Sequence, residues 1–206
     1  MFEAEIQNLY DERVAILGKI KHRSLGGLDV LTLTALNVLT YAQMEGGIKD
    51  IAACTIRNIN ARHMLLGEIS PALLDWRNAD ELDRLKSAVN FKMAGNQDPF
   101  ATVLARKVKI RGIHRQREMN QMNSVTLRRV YRGFGISPSG IEIHAAAIDG
   151  LVEARNSAAH YGLPSPLANH LLEVQLRDYV KTAEFVLTDF SISLLPYFSV
   201  KMHRRK

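Results

Sequence analysis

Hydrophobic residues recur at helical spacing along most of this 206-residue chain. Between residues 2 and 22 they appear every three or four positions with charged residues between them, which is the pattern of an amphipathic helix. Near the other end of the chain, the hydrophobic positions from Leu176 to Leu194 step by four and three residues in turn. Both segments are therefore predicted to be helices that bury one face.

A long second helix is predicted from Asp29 to about His63. Asp29 is a good N-cap, because its carboxylate can accept hydrogen bonds from the free amides of a first turn. Gly46 and Gly47 are the weak point of this helix, since each glycine costs about 1 kcal/mol relative to alanine. Packing against other elements is expected to hold the helix together there.

Two more helices are predicted in the second half of the chain, before the last one. Asn123 or Ser124 can cap the first of them, which Gly135 would end. Asp149 can cap the second, which Gly162 would end.

The stretch between the long helix and residue 120 has a weaker pattern. Short helices are predicted from Ser70 to about Met93, and alternating residues from Arg106 to His114 permit a short β-ribbon. No Pro-rich or Ser/Gly-rich linker divides the chain, so residues 1–206 are predicted to form one domain. The predicted fold class is all-α, a helical bundle with two long helices, a polar insertion and a late helix.

Positive charge is concentrated in one segment of the chain. The net charge is +6, but residues 100–135 hold nine Lys/Arg against the single acid Glu118, a balance of +8 that leaves −2 for the rest. Such a segment is typical of proteins that bind a phosphate backbone, and Arg128, Arg129 and Arg132 are the candidates on its predicted helix. A basic face that meets only solvent is the alternative.

Composition also disfavours several classes of protein. Cys54 is the only cysteine, which excludes an intrachain disulfide and metal sites of the Cys₂ or Cys₄ kind. An HxxxH pair and a GxxxxGKS phosphate loop are both missing from the sequence. No apolar run reaches the roughly 18 residues of a membrane span, and the N-terminal residues are acidic where a secretory signal is basic. We therefore expect a cytoplasmic protein without metal, cofactor or membrane contact.

The segment RNSAAH, residues 155–160, is the strongest candidate for chemistry. On a helix, Asn156 and His160 share a face, while Arg155 lies about 140° from His160 but has a long side chain. A guanidinium suits a phosphate, and an imidazole can exchange a proton near neutral pH. Spacing alone favours a structural alternative, in which Arg155 pairs with an acid such as Glu153 and His160 caps the helix end.

Resemblance to a known family changes this balance. LVEARNSAAHYG resembles the signature of the HEPN superfamily, in which an Arg, a polar residue, a short spacer and a His form a ribonuclease site late in a helical domain. YAQMEGGIK, residues 41–49, is similar to the aromatic-Glu-Gly-x-x-Lys pattern in the second helix of the MAE-type and RiboL-PSP branches. NQMNSVTLRRVYRGFGI, residues 120–136, resembles the cap and helix that precede the catalytic helix there.

The resemblance implies an activity and a set of site residues. Arg155, Asn156 and His160 would be catalytic, and Glu45 with Lys49 would support the site or the fold. The implied reaction is attack of a ribose 2′-hydroxyl on the adjacent phosphate, which needs no metal and leaves a 2′,3′-cyclic phosphate. The implied setting is a homodimer with facing motif helices, acting as a toxin or phage-defence ribonuclease restrained by an antitoxin or another protein of the same locus.

Two other functions stay open at this level. A non-catalytic HEPN module that binds RNA or a partner protein would need the same bundle and the same charge. A DNA-binding or scaffold protein would use Arg128, Arg129 and Arg132 for contacts to phosphates.

Overall fold

The structure is a computed structural model that describes residues 2–25, 27–63, 65, 68, 73, 121–161 and 169–198, with the backbone alone at positions 160, 161, 169 and 170. Five α-helices form in these residues: α1 (Phe2–Arg23), α2 (Val30–Ala61), α3 (Ser124–Gly133), α4 (Ser139–Tyr161) and α5 (Asn169–Leu194). The predicted all-α fold is confirmed. The short helices predicted after Ser70 and the β-ribbon predicted at Arg106–His114 lie outside the described residues.

The helices form one bundle around a shared hydrophobic core. α1, α2 and α5 pack against one another, α4 packs on α2 and α5, and α3 packs on α4. Tyr10 Oη lies 3.1 Å from Thr188 Oγ1, and Lys21 Nζ lies 3.8 Å from Glu184, so α1 and α5 run antiparallel. None of the described helices combines the length and the apolarity that a membrane crossing requires.

Two of the predicted helix caps are confirmed. Asp29 is the N-cap of α2, and its carboxylate accepts hydrogen bonds from the Thr32 amide at 2.9 Å and from the Thr32 hydroxyl at 2.7 Å. Asn123 is the N-cap of α3, where its side chain accepts from the Thr126 amide at 2.8 Å. Gly135 follows the end of α3 with a φ of +73°, a conformation that favours glycine.

The N-cap predicted for α4 is wrong. α4 begins at Ser139, so Asp149 lies in its interior. The Asp149 carboxylate instead accepts hydrogen bonds from the amide and the hydroxyl of Ser124, both at 2.8 Å, and so caps α3 from the side. The local signal for the true start was Pro138, whose carbonyl accepts from the amides of Ile141 and Glu142.

The double glycine of α2 marks the closest approach of three helices. A Cβ on Gly47 would lie 2.5 Å from Leu187 Cδ2 of α5 and 3.2 Å from Arg13 Cγ of α1. The Arg13 guanidinium lies 3.4 Å from the position that a Cβ on Gly46 would occupy. It binds Gln43 before the two glycines and Asp50 after them. Tertiary packing therefore holds α2 together at its weakest point, as the sequence predicted.

The approach of α3 is fixed at two points. One is the pair of bonds from Ser124 to Asp149, and the other is a bond from the Met122 amide to Tyr41 Oη at 2.9 Å. Tyr41 on α2 is 2% exposed, and burial raises its pKa to about 12, with the neighbouring Glu45 carboxylate adding to the rise. The phenol therefore stays protonated through the neutral range.

Gly47→Ala should lower the free energy of unfolding by about 1–3 kcal/mol, although alanine is the better helix former. The added methyl would meet Leu187, which is fully buried, and Arg13, which its hydrogen bonds hold in place. Gly18→Ala in α1 is the matched control, because no atom lies within 4 Å of its added methyl. The Gly18→Ala variant should have a free energy of unfolding about 0.5–1 kcal/mol higher than the unmodified protein. Urea denaturation measures both, and equal stabilisation would contradict the close packing.

Tyr41→Phe should lower stability at neutral pH by about 1–3 kcal/mol, because the buried Met122 amide loses its acceptor. The pKa of Tyr41 is higher in the folded chain than the roughly 10 of an unfolded one. The stabilisation that Tyr41 gives the folded state is therefore complete below pH ~10 and is lost as the pH rises toward 12. The deficit of Tyr41→Phe relative to the unmodified protein should consequently shrink in alkaline solution.

Tyr10→Phe is the control for this measurement. Within the described residues its hydroxyl meets only Thr188, which keeps its own bond to the Glu184 carbonyl at 2.7 Å, so no donor there is left unpaired. Chemical denaturation at pH 8 and pH 11 compares the two variants. A Tyr41→Phe protein as stable as Tyr10→Phe at pH 8 would show that the Met122 bond contributes nothing to the docking of α3.

Candidate active site

Arg155 and Asn156 form one unit near the C-terminal end of α4. Arg155 Nη1 donates a hydrogen bond to Asn156 Oδ1 at 2.9 Å. The Arg155 guanidinium carbon also lies 5.5 Å from the centre of the Tyr41 ring, within range of a cation–π contact. The guanidinium is thus held between the ring of α2 and the amide of its own helix.

The ion pair between Arg155 and Glu153, which spacing alone favoured, does not form. In the described part of the chain, Arg155 forms no ion pair with Glu153 or with any other carboxylate, and its contacts are those to Asn156 and Tyr41. A half-buried guanidinium without an acidic partner keeps most of its donors for an anion. The geometry suits a phosphate oxygen.

Position 160 lies on the same helical segment. α4 stays helical through Tyr161, so residue 160 is one turn beyond Asn156 on the same face. The side chain of His160 is outside the described residues. The structure therefore brings Arg155 and Asn156 together, and the role of His160 stays a prediction.

Glu45 and Lys49 lie on α2 one and two turns beyond Tyr41. Lys49 Nζ is 2.6 Å from Glu45 Oε1, and the two side chains are partly buried, with exposed fractions of 22% and 17%. Neither forms a hydrogen bond or ion pair with Arg155. They lie on the α2 face that carries Tyr41, and their supporting role stays a prediction.

Tyr41 is the residue whose role the sequence did not reveal. It was part of the YAQMEGGIK pattern, but its contacts to Met122 and Arg155 are separated by 81 and 114 residues along the chain. Its position one turn before Glu45 was the available signal, since it places the aromatic ring and the carboxylate on one face.

The arginines of α3 divide into two kinds. Arg128 turns back on its own helix, where Nε donates to the Ser124 carbonyl and Nη2 to the Ser124 hydroxyl, both at 3.2 Å. It therefore lies beside the junction of α3 with Asp149. Arg129 and Arg132 are exposed on α3. The other basic residues of the segment, from Arg106 to Arg117, lie outside the described residues.

An open groove of about 410 Å³ lies between the start of α3 and the outer face of α4. The residues that line it are Asn123, Val125, Asp149, Val152, Glu153, Asn156 and Ser157. Because Asn156 belongs both to this groove and to the Arg155 unit, the groove is continuous with the candidate phosphate site. Among the described residues, no three His, Cys, Asp or Glu side chains are grouped as metal ligands.

Comparison with known protein families gives one match, and it covers most of the chain. The family described as RiboL-PSP-HEPN matches residues 4–195, a span that includes nearly all of the five helices and the three segments that resembled HEPN proteins. Comparisons with curated proteins and with solved structures find no match. With residues 4–195 matched and an all-α bundle observed, the chain belongs to the RiboL-PSP-HEPN family.

Proposed function

We propose that residues 1–206 form a single HEPN domain that acts as a metal-independent endoribonuclease. The family suggests a nuclease or an RNA-binding module. The observation that favours catalysis is the Arg155 guanidinium, which Asn156 and Tyr41 hold in place without neutralising its charge. A preorganised cation of this kind stabilises charge that develops on a phosphate in the transition state.

Each residue of the motif has a role in the proposed reaction. The 2′-hydroxyl of the substrate attacks the adjacent phosphorus, and His160 accepts the proton of that hydroxyl. The bond from phosphorus to the 5′-oxygen breaks, and that oxygen takes the proton from the protonated His160 as it leaves. Arg155 neutralises the pentavalent phosphate, and Asn156 orients Arg155 through the 2.9 Å bond. The products are a 2′,3′-cyclic phosphate and a 5′-hydroxyl.

The proposed setting is a homodimeric toxin or phage-defence enzyme. Such an enzyme would act on RNA in the cytoplasm. The cytoplasm is a reducing environment, which suits the buried Cys54 thiol. A growth-inhibiting ribonuclease also needs restraint, so we include an antitoxin or another protein of the same locus as a partner. The exposed Arg129 and Arg132, together with the rest of the basic segment, would hold flanking RNA.

Cleavage of single-stranded RNA should persist in excess EDTA, because the nucleophile belongs to the substrate and Arg155 supplies the positive charge. It should stop at a position where the nucleotide 5′ to the scissile phosphate is changed to deoxyribose, while binding there changes little. Mass spectrometry of the fragments should show cyclic phosphate and 5′-hydroxyl ends. Ends carrying a 5′-phosphate, with loss of activity in EDTA, would indicate a metal-activated water instead.

Variants separate this activity from a contaminant and from a binding module. Arg155→Ala and His160→Ala should each abolish cleavage and leave thermal unfolding nearly unchanged, because polar side chains near the end of a helix contribute little to core packing. Arg23→Ala is the matched control, because Arg23 is an exposed arginine on α1 outside the groove, and this variant should keep its cleavage rate. If the variants bind RNA as tightly as the unmodified protein and none of these proteins cleaves it, the non-catalytic binding module is favoured instead.

The protein should be a homodimer at concentrations where it cleaves RNA. One motif helix offers a single Arg155 and a single His160, whereas two helices related by a two-fold axis would supply two of each residue to one cleft. Multi-angle light scattering gives the mass, and serial dilution tests whether the rate per chain falls as dimers dissociate. A monomer with an undiminished rate would contradict the composite site.

A further inference from the structure

The groove between α3 and α4 has the size of a small-molecule site. Its volume of about 410 Å³ falls within the roughly 300–1,000 Å³ that such sites occupy. One wall is apolar, since Val125 is 51% exposed at the start of α3 and Val152 lies beneath it on α4. The remaining lining groups are polar, so the groove suits a flat ring with hydrogen-bonding edges.

The two amides of the groove have their NH₂ groups available as donors. Asn123 Oδ1 accepts from the Thr126 amide at 2.8 Å, and Asn156 Oδ1 accepts from Arg155 at 2.9 Å. Both side-chain carbonyls are therefore engaged in the structure of the protein itself. Their Nδ2 groups have no bond within the described residues, so they can donate to an acceptor in the groove.

The two carboxylates of the groove differ in whether they already accept hydrogen bonds. Both oxygens of Asp149 already accept hydrogen bonds from Ser124. Glu153, one turn further along α4, is exposed and forms no hydrogen bond or ion pair in the described part of the chain. Glu153 is thus the unused acceptor of the groove, and it stands beside the Asn156 that orients Arg155.

Charge decides which part of a nucleotide fits here. Asp149 and Glu153 make the groove negative, so it would repel a phosphate, whereas Arg155, which is bonded to the lining residue Asn156, would attract one. A nucleotide whose phosphate binds Arg155 would therefore place its base, rather than its backbone, in the groove.

We propose that this groove binds guanine next to the scissile phosphate, with Glu153 as the residue that determines specificity. A carboxylate can accept two parallel hydrogen bonds from the N1–H and N2–H of guanine, whose O6 would face an amide donor. Adenine and cytosine place a ring nitrogen acceptor beside their amino group, and uracil flanks its one N–H with two carbonyls, so each would bring a lone pair against the carboxylate. This inference rests on the proposed ribonuclease function.

The test uses four oligouridine RNAs with a single G, A, C or U at one position, and it compares initial cleavage rates at that site. The unmodified protein should cut the G substrate about 10-fold to 100-fold faster than the others, the range expected of one bidentate base contact. Inosine, which lacks the N2 amino group, should give an intermediate rate. Glu153→Gln should still cut, with the preference for G reduced to about 2-fold or less.

Glu142→Gln is the matched control, because Glu142 is exposed on the same face of α4, three turns before Glu153 and outside the groove. It should keep the full preference for G. Cleavage of all four RNAs at similar rates, or a preference that survives in Glu153→Gln, would overturn the inference and leave the proposed ribonuclease function standing.

Binding assays keep the two proposals distinguishable. With a 2′-deoxy nucleotide at the scissile position, the RNA can bind but not react. If no RNA is cut, the ribonuclease proposal fails, while tighter binding of the G-containing RNA that Glu153→Gln removes would still support the guanine site. Binding of free guanosine monophosphate without any preference among the RNAs would identify a mononucleotide site and overturn the proposal for RNA.

Discussion

The buried side chain of Tyr41 joins the three parts of the molecule that form the site. Its hydroxyl accepts the Met122 amide just before α3, and its ring lies under the Arg155 guanidinium of α4. A buried amide without an acceptor is costly, so the approach of α3 depends on this hydroxyl as well as on the bonds from Ser124 to Asp149. Since the groove forms where α3 meets α4, Tyr41 on α2 supports both the shape of the groove and the position of the Arg155 guanidinium.

α2 can provide that support because its neighbours hold it from both sides. Gly47 admits Leu187 of α5, and Arg13 of α1 crosses the same turn to bind Gln43 and Asp50. Tyr41 lies less than two turns before this crossing, and the Glu45–Lys49 ion pair spans it. Gly47, which weakens the isolated helix, therefore also fixes it within the bundle, because a side chain at this position would collide with Leu187 and Arg13.

Local features of the sequence predicted the helices well, and long-range contacts account for what it missed. Hydrophobic spacing and the caps Asp29 and Asn123 are properties of neighbouring residues, so they could be recognised directly. Asp149 was misassigned because a residue suited to capping its own helix served another one instead. The groove is lined by residues near 123 and by residues near 153, and no local sequence pattern predicts that these two segments come together. Arg155 was identified through family resemblance, because its spacing alone favoured an ion pair with an acid such as Glu153, and the pair with Glu153 does not form.

The uninterrupted helix of α4 also limits how this protein can change during evolution. Asp149, which anchors α3, and Asn156, which holds Arg155, are separated by seven residues, or about two turns and ~10 Å. Inserting or deleting one residue between them would rotate one group by about 100° relative to the other. Single substitutions can be accepted along this stretch, but changes in its length cannot. Variation in length among relatives should therefore be confined to the connections between helices.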